Sequence, residues 1–383
     1  MERRHFLATG AVLAVGGGLP PFAAGGAAAA DRAGAGGGLP PRAEIIAVLR
    51  RVADHWIGAH TDPGDNKWAR AVFFGGLLAL HRLTGEPRYA AYARGWAEKH
   101  SYGLNDGPAT RHADNQCAGQ AYLDLYALDR APDETKIAVL DASVRAMVDS
   151  AADRHADWTW DDALHMAMPP FARLGAVRGD PAYAEAMHTL YTHTRDAEGG
   201  PGLLDPGSGL WYRDKRFLPG GIVSPDGKPV LWSRGNGWVA GAHTKVLAAL
   251  PADHPHAPVY RTALTTELRT LRGIQRPDGF WNVNLADPAH LPGPETSGTV
   301  FFLYATAYAL RTGLVPARLF RPVAARAWHA LVTHAVHPDG FLGYVQPAGD
   351  RPESGQPVGP DTTADFGVGG FLLAGTELAA LVG

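Results

Sequence analysis

The chain has 383 residues, a net charge of −3 and a charged fraction of 19%. That length buries one large core or two medium ones. The mild charge, with no Lys/Arg run, leaves nucleic acid out as an expected partner, and a single cysteine, Cys117, leaves no internal disulfide.

Residues 1–30 differ in composition from the rest. Arg3-Arg4 is followed by an apolar, Ala/Gly-rich stretch from Leu7 to Leu19 and then by small residues through Ala30. A charged start, a short apolar middle and a small-residue cleavage zone predict a twin-arginine leader, with export to the periplasm or beyond. The apolar stretch is too short and glycine-rich for a membrane span. Residues 31–42 read as a flexible linker, and residues 43–383 as the working domain. No later run suits a bilayer, so the mature form is expected without a membrane partner.

From Ala43 onward, apolar residues recur at three and four spacing, which predicts helices. They run over Ala43–Ala59, Ala69–Leu83, Tyr89–Lys99, Ala118–Leu128, Glu134–Ala151 and Asp162–Leu174. They continue over Tyr183–Arg195, Gly237–Leu250, Val259–Arg272, Thr299–Arg311, Arg321–Thr333 and Gly369–Leu381. Only Phe217–Val223 and Phe341–Gln346 suggest short strands. Cys117 opens one helical run and reads as a small buried hydrophobe rather than a nucleophile.

The connections are of two kinds. Gly85-Glu86-Pro87, Gly179-Asp180-Pro181 and Gly313-Leu314-Val315-Pro316 are tight turns, with Gly stopping one helix and Pro starting the next. Longer aromatic loops carry Trp158-Thr159-Trp160, Gly209-Leu210-Trp211-Tyr212, Gly279-Phe280-Trp281 and Gly340-Phe341-Leu342-Gly343-Tyr344. About twelve helices in repeated hairpins predict an all-α, (α/α)6 barrel whose long loops gather on one face. An open α-solenoid is the alternative.

Four segments carry chemistry. Trp232-Ser233-Arg234-Gly235-Asn236-Gly237-Trp238 brackets an arginine with tryptophans. Aromatic faces stack on sugars, and the guanidinium fork matches a carboxylate. The same residues also suit a helix N-terminus over a buried Trp pair. Trp160-Asp161-Asp162-Ala163-Leu164 places two acids at a helix start; one would suffice as a cap. Asp114 precedes a glycine-bearing helix, and Pro294-Glu295-Thr296-Ser297 leads into another; each also suits a capping role.

In their order and spacing these segments resemble glycoside hydrolase family 105, the unsaturated rhamnogalacturonyl hydrolases, and the related family 88 unsaturated glucuronyl hydrolases. The resemblance runs from about His55 to the C-terminus. It includes Trp68, the Asp114 segment, Trp160 to Pro169, the loop 209–214, Trp232 to Trp238, Pro294 to Thr299 and Asp339 to Pro347.

The resemblance implies an (α/α)6 barrel acting on acidic oligosaccharides that carry a 4,5-unsaturated uronate, of rhamnogalacturonan or ulvan type. The implied reaction is hydration: an acid protonates C4, water adds at C5, and the ring opens to release the next sugar. By position the catalytic acid is Asp162, with Asp161 left as a helix cap. Asp114 is a second acid lining the site, and Arg234 is the cation for the uronate. Trp68, Trp158, Trp232 and Trp238 are implied wall or stacking residues, and Glu295 and Ser297 substrate contacts. Arg213 stands where other branches carry His. His165 reads as packing.

No metal or cofactor is expected. None of the 17 histidines falls in a paired helical spacing with a nearby carboxylate that demands zinc. Two other readings remain open at this point: an ordinary inverting glycosidase using Asp162 and Asp114, and a non-catalytic scaffold that binds acidic sugars.

Overall fold

The computed structural model describes residues 38–383. The leader read over residues 1–30, and most of the linker, lie outside the described residues. Helix α1 (Arg42–Ala59) opens the domain, followed by α2 (Trp68–Thr84), α3 (Pro87–Lys99), the single turn α4 (Ala113–Gln116), α5 (Ala118–Leu128), α6 (Ala138–Val148) and α7 (Asp162–Arg178). Then come α8 (Ala182–Asp196), α9 (Ser233–Ala249), α10 (Ala257–Ile274), α11 (Thr296–Arg311), α12 (Ala317–Ala330) and α13 (Asp365–Leu381).

Two kinds of helix alternate. In α11 every residue from Thr296 to Leu310 is buried, as expected of a helix with neighbours on all sides. In α12 only one stripe is buried, Phe320, Val323, Ala324, Ala327 and Trp328, while Arg318, Arg321, Arg326 and His329 face out. The fully packed helices form a closed inner ring: α2 touches α5, α5 touches α7, and contact passes through α9, α11 and α13 back to α2. The amphipathic helices pack outside, α3 on α2, α8 on α7, α10 on α9, α12 on α11 and α1 on α13. This is the (α/α)6 barrel.

Each inner helix is entered by a longer connection than the one that leaves it, α13 being the last helix. The tight turns close at Gly85 and Gly179, whose φ of 72° and 62° suit glycine. The long loops all lead into inner-helix N-termini, so those N-termini open on one face. Their partial positive charge favours an anion there.

Several boundaries differ from the sequence expectation. Helices α9, α11 and α13 begin three or four residues earlier than expected, at Ser233, Thr296 and Asp365. Their first turns are rich in Gly, Ser, Thr and Asn, poor helix formers that central packing nevertheless holds in place. The expected helix Glu134–Ala151 is a short turn at Glu134–Lys136 followed by α6. The two suggested strands do not form. Residues Lys215–Phe217 make a tight 3-10 turn, and Val223 and Leu342 reach only single bridges, to Pro229 and Val336. Neither segment has a neighbour running alongside long enough for a ladder.

Candidate active site

A pocket of about 430 Å³ opens at the face of the inner-helix N-termini, a size typical of ligand sites. Trp68 at the start of α2 and Asp114 in α4 form one side of its lining. Trp160, Asp162 and Met166 come from the segment entering α7 and from its first turns, Arg213 from the 197–232 loop, and Arg234 from the first turn of α9. Ala348, Gly349 and Asp350 close the remaining wall.

The entry to α7 is pinned to the 197–232 loop. Trp160 bridges Asp214, and the Asp161 N–H donates to the Arg213 carbonyl at 2.8 Å. Side chains continue the link. Arg213 Nε donates to Asp162 Oδ2 at 3.0 Å and its Nη1 to Asp214 at 2.8 Å. Arg216 donates to Asp214 and to Asp350, both at 2.8 Å. Alternating acids and arginines thus run from the pocket floor to its rim.

Asp114 sits across from Asp162. Burial, and then the Asp162 charge, push its carboxyl up to about 6, against opposing pulls from His112 and Arg213. The His112 ring packs beside Trp160, with centroids 5.1 Å apart. A carboxyl raised to about 6, beside a second acid and two arginines, can take part in proton transfer on a bound anion.

Arg234, expected as the cation for the uronate, is buried and already bonded to backbone. It is 1% exposed and donates to the carbonyls of Gln346, Pro347 and Gly349 at 2.8, 2.9 and 3.2 Å. Its guanidinium lies over the Trp232 ring at 4.2 Å and the Phe366 ring at 5.1 Å. Burial lowers it to about 10, with Asp162 and Glu295 opposing. It remains charged at neutral pH, lines the pocket and fastens the 346–349 strap.

Of the residues named from sequence, Asp114, Asp162, Arg213, Arg234 and Trp68 meet in this pocket. Trp158, Trp232, Trp238, Glu295 and Ser297 do not line it. Trp158 is fully buried against Phe171, and Trp160 forms the wall instead. Trp232 donates through Nε1 to Gln346 at 2.9 Å, beneath Arg234. Trp238 packs among His165, Phe301 and Phe366 and backs Trp68 edge-on at 6.0 Å. The Trp pair is therefore a buried pair at a helix N-terminus, the plainer of its two readings.

Glu295 caps α11, accepting from the N–H groups of Ser297 and Gly298 at 2.6 and 2.7 Å and from the Ser297 hydroxyl. That arrangement leaves neither residue free for a ligand. Asp161, expected as the cap of α7, makes no capping bond; it is fully buried and both its oxygens lack a partner. His165 is buried in the aromatic cluster, where desolvation holds it well below the usual histidine range and so neutral. Burial likewise pushes the Cys117 thiol up to about 12, far from a reactive thiolate.

Sequence reasoning missed Trp160 as the wall, Met166, and the 348–350 segment. Trp160 could have been found from its place directly before the two acids. Ala348-Gly349-Asp350 carries no local signal; the segment reaches the pocket because Arg234 and Arg216 hold it there.

The family described as Glycosyl Hydrolase Family 88 matches residues 47–382 of this chain. The chain belongs to that family. It is similar to an unsaturated 3S-rhamnoglycuronyl hydrolase of Formosa agariphila, 30% identical over 332 residues that cover 82% of this chain and 84% of the relative. A solved structure, a glycosyl hydrolase family 88 protein from Bacteroides vulgatus, superposes with a TM-score of 0.83 at 32% identity, covering 89% of this chain and 100% of that one. Another, described as a polysaccharide lyase, gives a TM-score of 0.81 at 32% identity, covering 88% of this chain and 97% of that one. The match thus falls to the second of the two related families that the motifs resemble.

Proposed function

We propose that this family 88 glycoside hydrolase removes a 4,5-unsaturated uronic acid from the non-reducing end of lyase-generated oligosaccharides. The observation that carries the reading is one pocket holding two mutually repelling carboxyls, Asp114 and Asp162, with Arg213 and Arg234 beside them. Acid groups suit protonation of an enol ether, and the arginines suit the uronate carboxylate. The name of the Formosa relative and the order of the motifs, which follows the family 105 pattern, support a uronate linked to rhamnose, as in rhamnogalacturonan or ulvan fragments. Export of the folded protein by the twin-arginine route belongs to the same reading.

In this mechanism Asp162 gives a proton to C4 of the unsaturated ring. Positive charge then develops at C5 and the ring oxygen, and Asp162, now a carboxylate, takes a proton from the water that adds at C5. The hemiketal opens and the next sugar leaves. One acid serves both steps, so no second carboxylate on the opposite face is required. Asp114 keeps negative charge near Asp162 and accepts from a ring hydroxyl. Trp68 and Trp160 wall the ring, and Arg234 and Arg213 flank its carboxylate.

The test is the ultraviolet absorbance of the conjugated uronate, followed with lyase-digested rhamnogalacturonan, ulvan and glycosaminoglycan. Loss of absorbance with sugar release supports hydration. Sugar release at constant absorbance makes the protein an ordinary glycosidase. A rise in absorbance on intact polysaccharide makes it a lyase, and binding without change makes it a scaffold.

A further inference from the structure

Asp161 is the one acid beside the pocket with no assigned task. Its side chain is fully buried and neither carboxyl oxygen has a partner. The site is built around it: a Cβ at Gly235 would come within 2.3 Å of Asp161 Oδ2, so only glycine lets α9 approach. Its backbone is tied to the Arg213 carbonyl at 2.8 Å.

The charged groups acting on it are Asp162 in its own segment, Arg213 and Asp214 from the 197–232 loop, and Arg234 from α9. Neither arginine donates to it. Arg213 gives its bonds to Asp162 and Asp214, and Arg234 to the carbonyls of residues 346, 347 and 349. An ionised carboxylate accepts only, and here it would be buried without a donor. A carboxylic acid is a donor, and the adjacent Asp162 is the like charge that acts on Asp161 most strongly.

We propose that Asp161 is a neutral acid whose hydroxyl donates to the carboxylate that Asp162 becomes when it gives up its proton, making it a positioning residue for the reaction. The inference of a catalytic effect rests on the function proposed above; the protonation state does not. Burial, and then the Asp162 charge, push the Asp161 carboxyl well above the usual carboxylate range, which agrees with the geometry. When Asp162 protonates C4, its O–H bond breaks, the C4–H bond forms, and the electron pair stays on Asp162. Asp161 keeps its own proton and donates to the carboxylate just formed. The bond is thus strongest where charge develops, as catalysis requires.

Two measurements test it. The infrared carbonyl band of a protonated carboxyl, recorded at neutral pH, is expected to lose intensity in Asp161→Asn relative to wild type. An unchanged band overturns the proposal whether or not the enzyme has the activity proposed. Kinetics then separate a donor from a filler. Asp161→Asn retains a donor and should keep kcat within about threefold, whereas Asp161→Leu, similar in size, should lose about tenfold or more in kcat with little change in KM. The alkaline limb of the Asp161→Leu rate profile should also move to higher pH, because a bond favouring the charged form is gone. Equal losses in both variants, or an unmoved limb, overturn the proposal. A wild type that does not consume the unsaturated uronate defeats the function instead and leaves the infrared result standing.

Discussion

Replacing Asp114 by asparagine should stabilise the protein above about pH 6 and leave it unchanged below about pH 4. Burial and the Asp162 charge raise the Asp114 carboxyl from 3.8 to about 6. Below the lower value, folded and unfolded chains both hold the proton and the group costs nothing. Between the two values the folded chain keeps a proton that the unfolded chain has lost, so stability falls as pH rises; above the upper value the whole penalty stands. A displacement of about 2 units at about 1.4 kcal/mol each corresponds to about 3 kcal/mol. The side chain is 30% exposed, so solvent screens part of this, and about 2 kcal/mol is the expected gain. Urea unfolding of both proteins from about pH 4 to about pH 8 reads it directly. A difference that does not vary with pH, or a variant weaker than wild type at the alkaline end, refutes the reasoning. The gain should come with lost turnover, since stability is given up at working sites.

The two neighbouring tryptophans should separate cleanly. Trp160→Ala is expected to raise KM about fivefold through a lost wall contact of about 1 kcal/mol, while Trp158→Ala costs about 3–5 kcal/mol of stability and leaves the KM of the folded protein near wild type; the reverse pattern would place the wall at Trp158. Glu295→Gln removes a charged cap from buried N–H donors and should destabilise by about 2 kcal/mol in urea unfolding, with kcat/KM of the folded fraction little changed. A selective loss of substrate affinity would return Glu295 to the binding surface. Arg234→Lys keeps the charge but not the planar fork, so hydrogen exchange at residues 346–350 should speed up, and unchanged exchange there would mean the strap is held by other contacts.

The sequence made the barrel legible because its signals are periodic. Glycine-to-proline turns alternate with long aromatic loops, and helical stripes fall between them, so the hairpin count follows without a partner strand. The apolar stripe alone puts the starts of α9, α11 and α13 three or four residues late, because glycine- and hydroxyl-rich turns carry no helical preference of their own and are set by packing at the centre of the barrel. Within the site, Asp114, Asp162 and Arg234 stood out as chemistry-bearing residues beside recognisable helix starts. What stayed hidden is side-chain direction. Trp158 and Trp160 are two residues apart, yet one fills the core and the other lines the pocket. Asp161 and Asp162 are adjacent, yet one is sealed against Gly235 and the other pairs with Arg213. These differences arise from the 213–214 segment docking on residues 160–161, a contact made across more than fifty positions of chain that no local pattern announces.

The central claim is that Asp162 delivers a proton to C4 of an unsaturated uronate. Proton NMR of the reaction run in deuterated water, with a lyase-derived rhamnose-linked substrate, tests it most directly. The account predicts that wild type removes the vinyl C4 signal and leaves a single deuterium at C4 as the neighbouring sugar is released, and that Asp162→Asn does neither while still binding. Release of the sugar with the vinyl signal intact, or full activity in Asp162→Asn, would contradict it.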